Sequence, residues 1–161
     1  MKTTVAKLAM TTALTGAVML PAAMASARPL TLSATLKNYR SSPAYLAIYV
    51  TDAKGAYQGT LWMAGGRPQF YRHLISWNRA TRGNLAEISG ITGASVGSGQ
   101  TLNVKLDVVN ALFDAGYVLH IDAAVEGWRE SPSDVVVPLT TKGAGKPVHG
   151  RHFVRSFKYS F

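Results

Sequence analysis

Residues 101–108 read Thr-Leu-Asn-Val-Lys-Leu-Asp-Val, an unbroken alternation of polar and apolar side chains. Successive side chains of a β-strand point to opposite faces of the sheet, so this stretch predicts a strand with one buried and one solvated face. Antiparallel sheets commonly have this half-exposed character. The stretch therefore favours an all-β fold in which sheets pack against each other on one face.

Similar strand patterns lie on both sides of this stretch. Residues 45–51 are rich in β-branched and aromatic types, and the turn signal at 52–55 leads into a return strand at 57–63. Only residues 69–82 carry apolar side chains at helical spacing. Further strands are predicted at residues 30–36, 117–125, 135–137 and 153–161. We predict an antiparallel β-sandwich, immunoglobulin-like in broad architecture, with one short helix.

The first 27 residues have the composition of a secretory signal peptide. Lys2 and Lys7 form a short basic start, and residues 8–24 carry no charge. The following Ala-Ser-Ala at 25–27 supplies the small residues that a signal peptidase requires. We therefore predict residues 1–27 to be a cleaved signal peptide, which indicates export to the periplasm.

The apolar run is too short and too interrupted by threonines and by Pro21 to be a good membrane span. We predict cleavage after Ala27, with cleavage after Ala25 as the second choice. The remaining residues 28–161 would then form a single domain that does not span the membrane. The chain has no cysteine, which excludes disulfides, thiol redox chemistry and iron–sulfur ligation.

The chain is basic, with 17 Lys and Arg against 8 Asp and Glu and a formal net charge of +9. The basic residues are scattered and lack the aromatic interleaving of a nucleic-acid groove, so no nucleic-acid partner is predicted. The charge favours solubility and loose attraction to an anionic membrane surface. One set of arginines leaves open a domain that binds a small anionic ligand: Arg67, Arg72, Arg79 and Arg82.

One short motif, Ser-Gly-Ile-Thr-Gly-Ala-Ser at 89–95, points to a specific chemistry. Gly93 and Ala94 leave the backbone bare beside the Ser95 hydroxyl, which lets a bulky phosphate donor approach. The segment is similar to the Ser/Thr-Gly-Ala-Thr sequence that an FAD:protein FMN transferase modifies. That resemblance implies FMN attached through a phosphoester to Ser95, with Thr92, Gly93 and Ala94 completing the motif. The alternative is a flexible loop between strands.

No other residue set predicts catalysis or metal binding. His149 and His152 are three residues apart, but no cysteine or second histidine pair completes a metal site. Neither a Gly-x-Ser-x-Gly elbow nor a His-Glu-x-x-His motif is present, so we predict no catalytic residues. Asp122, Glu126 and Glu130 are interpreted as solvated charges that balance Arg129. Three tryptophans are predicted to pack in the core or at its edge: Trp62, Trp77 and Trp128.

Five segments carry a further resemblance through their order and spacing: residues 45–62, 74–77, 91–95, 116–117 and 122–130. Taken in order, they resemble the bacterial family called Domain of Unknown Function 2271. The resemblance spans nearly all of the predicted mature chain, and it implies a periplasmic β-sandwich. It also implies a genetic setting near PepSY-type membrane reductases and flavin transferases.

These observations lead to one principal expectation and two alternatives. The principal expectation is a binding module without its own catalysis, accessory to a membrane-associated, flavin-linked redox or metal-uptake system. Its expected partners are a PepSY-type reductase and a flavin transferase. The first alternative is an electron carrier with FMN on Ser95, and the second is a domain for a small anionic ligand.

Overall fold

The computed structural model describes residues 26–161, which form a mostly β structure. Of the predicted signal peptide, only Ser26 and Ala27 lie within the described residues. The strands are β1 (Ala27–Leu36), β2 (Tyr45–Thr51), β3 (Tyr57–Ala64), β4 (Thr92–Gly93), β5 (Thr101–Val109), β6 (Val118–Ala124), β7 (Ser131–Pro138) and β8 (Val154–Ser160), and the α-helix is α1 (Ile75–Thr81). Short 3-10 helices lie at Pro68–His73, Leu85–Ile88, Asn110–Leu112 and Thr141–Gly143.

The strands form two sheets, which confirms the predicted sandwich. One sheet has the order β5-β1-β8, and the other has the order β4-β3-β2-β6-β7. Paired strands are antiparallel, except that β4 runs parallel to the end of β3. Apart from the two-residue β4, each strand corresponds to an apolar pattern recognised in the sequence.

The main core lies between the two sheets and follows from alternation along the strands. In β5, Val104 and Val108 are buried, whereas Asn103, Lys105 and Asp107 are exposed. Four apolar side chains of β1 are nearly inaccessible and face the same core: Leu30, Leu32, Ala34 and Leu36. The alternating stretch therefore has the half-buried character that its pattern predicts.

A second core lies on the outer face of the five-stranded sheet. Ala47 and Tyr49 of β2 point to this face and are buried under a helical layer that contains Trp77 of α1. The layer begins with a 3-10 turn at Pro68–His73, and α1 ends where Arg82 adopts a left-handed φ of 54°. Because both faces of β2 are buried, its sequence is almost continuously apolar rather than alternating.

The topology brings several strand ends together at one end of the five-stranded sheet. β2 begins at Tyr45, which pairs with Ala124 at the end of β6. β3 ends at Ala64, which lies beside Gly93 at the end of β4. The segments that precede β2 and follow β3, β4 and β6 therefore meet at this end, where side chains from distant parts of the sequence can form one site.

Candidate functional site

A cleft of about 380 Å³ opens where these strand ends meet. Its volume is within the range of about 300 to 1,000 Å³ that is usual for small-molecule sites. Most of the lining comes from the connections between strands, and both aromatic and charged side chains contribute. We call it the Ser95 cleft and define it by Tyr45, Arg67, Phe70, Ser95, Trp128 and Glu130.

A glycine makes room for one of the aromatic walls, the ring of Tyr45. Gly65 has a φ of +124°, and a Cβ there would collide with the Tyr45 ring. The Tyr71 hydroxyl donates a hydrogen bond of 2.7 Å to the Gly65 carbonyl, which holds this turn in position. The rings of Tyr45 and Phe70 then lie with centroids 5.4 Å apart. Gly65, which directly follows β3, thus allows an aromatic surface to form beside the cleft.

The third aromatic wall is Trp128, which is 50% exposed. Its backbone N–H donates to the Val125 carbonyl in the turn after β6. One side of the indole is braced by edge-to-face contacts with Tyr39 and Phe153, at centroid distances of 6.1 and 6.2 Å. The sequence predicted a core-edge residue, and the structure leaves half of this large ring open to solvent at the cleft.

Ser95 is half-buried at the border of the cleft and is held between two anchored neighbours. Gly65 N–H donates to the Gly93 carbonyl at 2.8 Å, and Val96 forms a two-way backbone bridge with Ala44. Among residues 26–161, the side-chain hydrogen bonds of this segment are made by Thr92, which donates to the Ile88 carbonyl, and by Ser98, and none involves the Ser95 hydroxyl. The hydroxyl is therefore available for a bond to another group, on a backbone with a defined position.

Trp62 explains why position 93 is a glycine independently of any modification. A Cβ at Gly93 would lie 2.7 Å from Trp62 Cζ2, so the indole packs directly on the backbone. Trp62 Nε1 is buried and has no hydrogen-bond partner within the described part of the chain. A second, more open hollow of about 260 Å³ is lined by Trp62, Gly93 and Ser95. Ser95 thus borders two concave surfaces.

The charged lining of the cleft contains one hydrogen-bonded pair of a histidine and a carboxylate. His73 Nδ1 and Glu130 Oε1 are 2.8 Å apart, with both side chains about one-third exposed, at 38% and 33%. Since a carboxylate only accepts, Nδ1 carries the proton, and this hydrogen bond lowers the pKa of Glu130. The Arg129 charge also lowers the pKa of Glu130, in line with the expected pairing, but His73 is the hydrogen-bond partner that the sequence did not indicate. Glu126 and Arg67 are exposed, as expected for solvated charges.

Asp122, which was also expected to be solvated, is fully buried. Its carboxylate accepts hydrogen bonds from the backbone N–H groups of Trp77 and Ser133, at 2.8 and 2.7 Å, and from the Tyr49 hydroxyl at 3.2 Å. The interpretation failed because the helical layer covers this face of β6, which a local pattern does not reveal. We call this group the Asp122 cluster and define it by Tyr49, Thr51, Trp77, His120, Asp122 and Ser133.

The other predicted candidates are spread over the surface. Of the four arginines, Arg67 alone lines the cleft; Arg72 donates to His73 Nε2 at 3.3 Å, and Arg79 and Arg82 lie at the end of α1. In residues 26–161 no group of three or more His, Asp or Glu side chains has a metal-binding arrangement. Within the same residues no helix is long and apolar enough to cross a membrane.

Comparison with curated proteins and with solved structures returned no match. The model of one family, described as "Predicted periplasmic protein (DUF2271)", matches residues 27–156. The match begins with β1 and includes the whole lining of the Ser95 cleft. It also agrees with the resemblance carried by the strand and loop segments of the sequence. The chain therefore belongs to this family of predicted periplasmic proteins.

Proposed function

We propose that this protein is an exported accessory protein that carries FMN on Ser95 and transfers electrons within a membrane-associated redox system. The observation that carries the proposal is the position of Ser95, which is half-buried at the border of an aromatic cleft of about 380 Å³ and whose hydroxyl takes part in none of the side-chain hydrogen bonds of residues 26–161. The first 27 residues, with the features of a secretory signal, support a periplasmic location. Because the sequence has no cysteine, electron transfer cannot use thiols and would require a bound cofactor, a role that FMN can fill.

The attachment chemistry is a transfer of FMN from FAD. The Ser95 oxygen attacks the phosphorus of the FMN half of FAD. The bond between this phosphorus and the oxygen that bridges it to the AMP half breaks. AMP leaves, and the serine proton passes to a base of the transferase. The product is a phosphoester between Ser95 and FMN, whose isoalloxazine ring can accept and release electrons.

The chain's own residues fit this reaction in three ways. Ala94 is exposed and small, so it leaves the approach to Ser95 open on one side. The backbone bridge between Val96 and Ala44 keeps the acceptor in a fixed position, which favours recognition by a transferase. Arg67 lines the same cleft and has the charge that a phosphodiester attracts.

Partners follow from the same proposal. A flavin transferase is needed to modify Ser95, and a PepSY-type membrane reductase is the expected electron donor or acceptor. The net basic charge of the chain favours an encounter near an anionic membrane surface.

The test is co-expression of the full chain with an FAD:protein FMN transferase, followed by intact-mass measurement. We expect a mass increase equal to FMN minus water and a yellow protein. Ser95→Ala should remain colourless, whereas Ser95→Thr should be modified because it keeps the hydroxyl. Ser42→Ala is the matched control, since Ser42 is an exposed serine that lines the same cleft.

Two outcomes would overturn the proposal. One is an unmodified wild-type protein in cells where the transferase modifies a known substrate. The other is flavin retained by Ser95→Ala. Either result would favour the other expectation from the sequence, a binding module that carries no cofactor.

A further inference from the structure

We infer that the Ser95 cleft is a binding site for the planar ring of a flavin, with Trp128 as its main contact. This inference deepens the proposed function, which supplies the flavin and its attachment. The ring site itself is argued from the lining of the cleft and can be tested on unmodified protein.

The aromatic lining is the first argument. Tyr45 and Phe70 form one part of the wall, and Trp128 forms another, with half of its indole exposed. Half-exposed aromatic rings around a concave surface are suited to a flat ligand, because stacking replaces water on both rings. In the helical layer, by contrast, Trp77 and Tyr71 are buried against each other and are not available to a ligand.

The polar lining is the second argument. The isoalloxazine ring is apolar at its dimethylbenzene end and polar at its pyrimidine end, which carries carbonyl acceptors and an N–H donor. The cleft lining also combines both kinds of group, with Arg67 as a donor and the Glu126 and Glu130 carboxylates as acceptors in addition to the aromatic side chains. Glu130 is held by His73, so its carboxylate has a fixed position.

The rigidity of the cleft is the third argument. Trp128 is braced by Tyr39 and Phe153, and Tyr45 is fixed by the Gly65 turn, so the ring would order few side chains on binding. A flavin tethered to Ser95 has a high effective concentration next to the cleft. Weak intrinsic affinity is therefore enough for the ring to occupy the site when it is attached.

The experiment uses the three tryptophans as reporters in unmodified full-length protein labelled with nitrogen-15. Each indole N–H gives a separate NMR signal, and Trp128→Phe assigns the signal of Trp128. Free FMN is titrated to millimolar concentration, and inorganic phosphate is titrated in parallel. We expect FMN to shift the Trp128 signal in a saturable way and phosphate to leave it in place. Trp77 is the internal control, because its side chain is fully buried in the second core and does not line the cleft.

A matched pair of variants separates ring binding from a general surface effect. Trp128→Ala should abolish the FMN-dependent shifts of the backbone signals of Tyr45 and Phe70. Phe161→Ala should retain them, because Phe161 is similarly exposed, at 47%, but lies at the end of β8 rather than at the cleft. An unmoved Trp128 signal, equal shifts with phosphate alone, or unchanged shifts in Trp128→Ala would each overturn the ring site. None of these results depends on attachment, which only the mass measurement on Ser95 tests.

Discussion

The Asp122 cluster and the Ser95 cleft contain nearly the same residue types on neighbouring parts of one sheet. Each has a tyrosine of β2, a tryptophan, a histidine, a carboxylate and a serine, and the two tyrosines, Tyr45 and Tyr49, are four residues apart. In the cluster, Asp122 is buried and its oxygens accept three hydrogen bonds. In the cleft, the aromatic rings are half exposed and the Ser95 hydroxyl has no partner among the described residues.

This difference separates a stabilising role from a binding role. Buried polar groups that are fully hydrogen-bonded stabilise a unique packing arrangement, because any rearrangement would leave them unsatisfied. Exposed aromatic and hydroxyl groups around a cleft contribute little to the stability of the fold and are available to contact a ligand. The same residue types therefore serve different purposes according to whether a second layer covers them.

The largest expected effect comes from removing Trp77, the tryptophan of the Asp122 cluster. Trp77 is 0% exposed, and its Nε1 donates to Thr60 Oγ1 at 2.9 Å. We expect Trp77→Ala to lower the free energy of unfolding by about 3 to 5 kcal/mol, the usual range for a buried aromatic. Chemical denaturation measures this loss. Trp128→Ala should cost less than half as much, and equal losses would contradict the distinction between the two regions.

The second-largest expected loss of stability comes from removing the carboxylate of the Asp122 cluster. Asp122→Ala leaves the N–H groups of Trp77 and Ser133 and the Tyr49 hydroxyl without their acceptor. We expect a loss of at least about 2 kcal/mol, since each buried unsatisfied donor costs about 1 to 3 kcal/mol. Asp122→Asn keeps one acceptor oxygen and should recover part of the loss in the same denaturation measurement. Glu126→Ala, an exposed acid at the cleft, should be nearly neutral, and a large loss there would contradict this assignment.

The sandwich could be predicted because its strands carry local patterns. The alternation at 101–108 reflects burial of one face against the main core, and the almost continuously apolar strand at 45–51 reflects burial of both faces of β2. The helix was predicted for the same reason, since Leu74 and Trp77 are spaced to face one side. β4 was missed because two residues that pair in parallel with the end of β3 carry no period of their own.

The site was only partly accessible from the sequence. The motif at 92–95 pointed to Ser95, but the aromatic cleft depends on residues that are distant in sequence and meet only through strand pairing. Tyr45 reaches Phe70 because Gly65 makes room for its ring, and no local pattern encodes that contact. Asp122 was interpreted as solvated because a short acidic stretch usually is, whereas the helical layer buries it.

A substitution at Gly93 tests whether the contact with Trp62 holds the motif at the edge of the cleft. A Cβ at this position lies 2.7 Å from Trp62 Cζ2, so Gly93→Ala must displace the indole. Overpacking of this kind costs about 1 to 3 kcal/mol, and we expect the lower end because Trp62 is only half-buried and can move. Gly66→Ala is the control, since a Cβ there meets no atom within 4 Å. Equal melting temperatures for the two variants would show that Trp62 does not hold the motif in place.

The smallest expected effect is a pH dependence that arises in the Asp122 cluster. Burial lowers the pKa of His120 below its usual value, although the Asp122 charge opposes this shift. The ring stacks on Tyr49, and Nε2 lies 3.0 Å from Thr51 Oγ1. Because the unfolded chain then binds a proton more readily than the folded chain, stability is complete above the unfolded pKa of about 6.5 and falls as the pH decreases toward the folded pKa.

We therefore expect the free energy of unfolding to decrease between about pH 7 and about pH 5, and to decrease less in His120→Gln, which can keep a hydrogen bond but does not titrate there. The comparison must be made as a difference between the two proteins, since His73, His149 and His152 are present in both. The Glu130 carboxyl does not interfere, because its lowered pKa moves its own loss of stability to more acidic pH. Identical pH profiles for the two proteins would mean that His120 is protonated equally in the folded and unfolded states, and the Asp122 cluster would then contribute to stability only through its packing and its fixed hydrogen bonds.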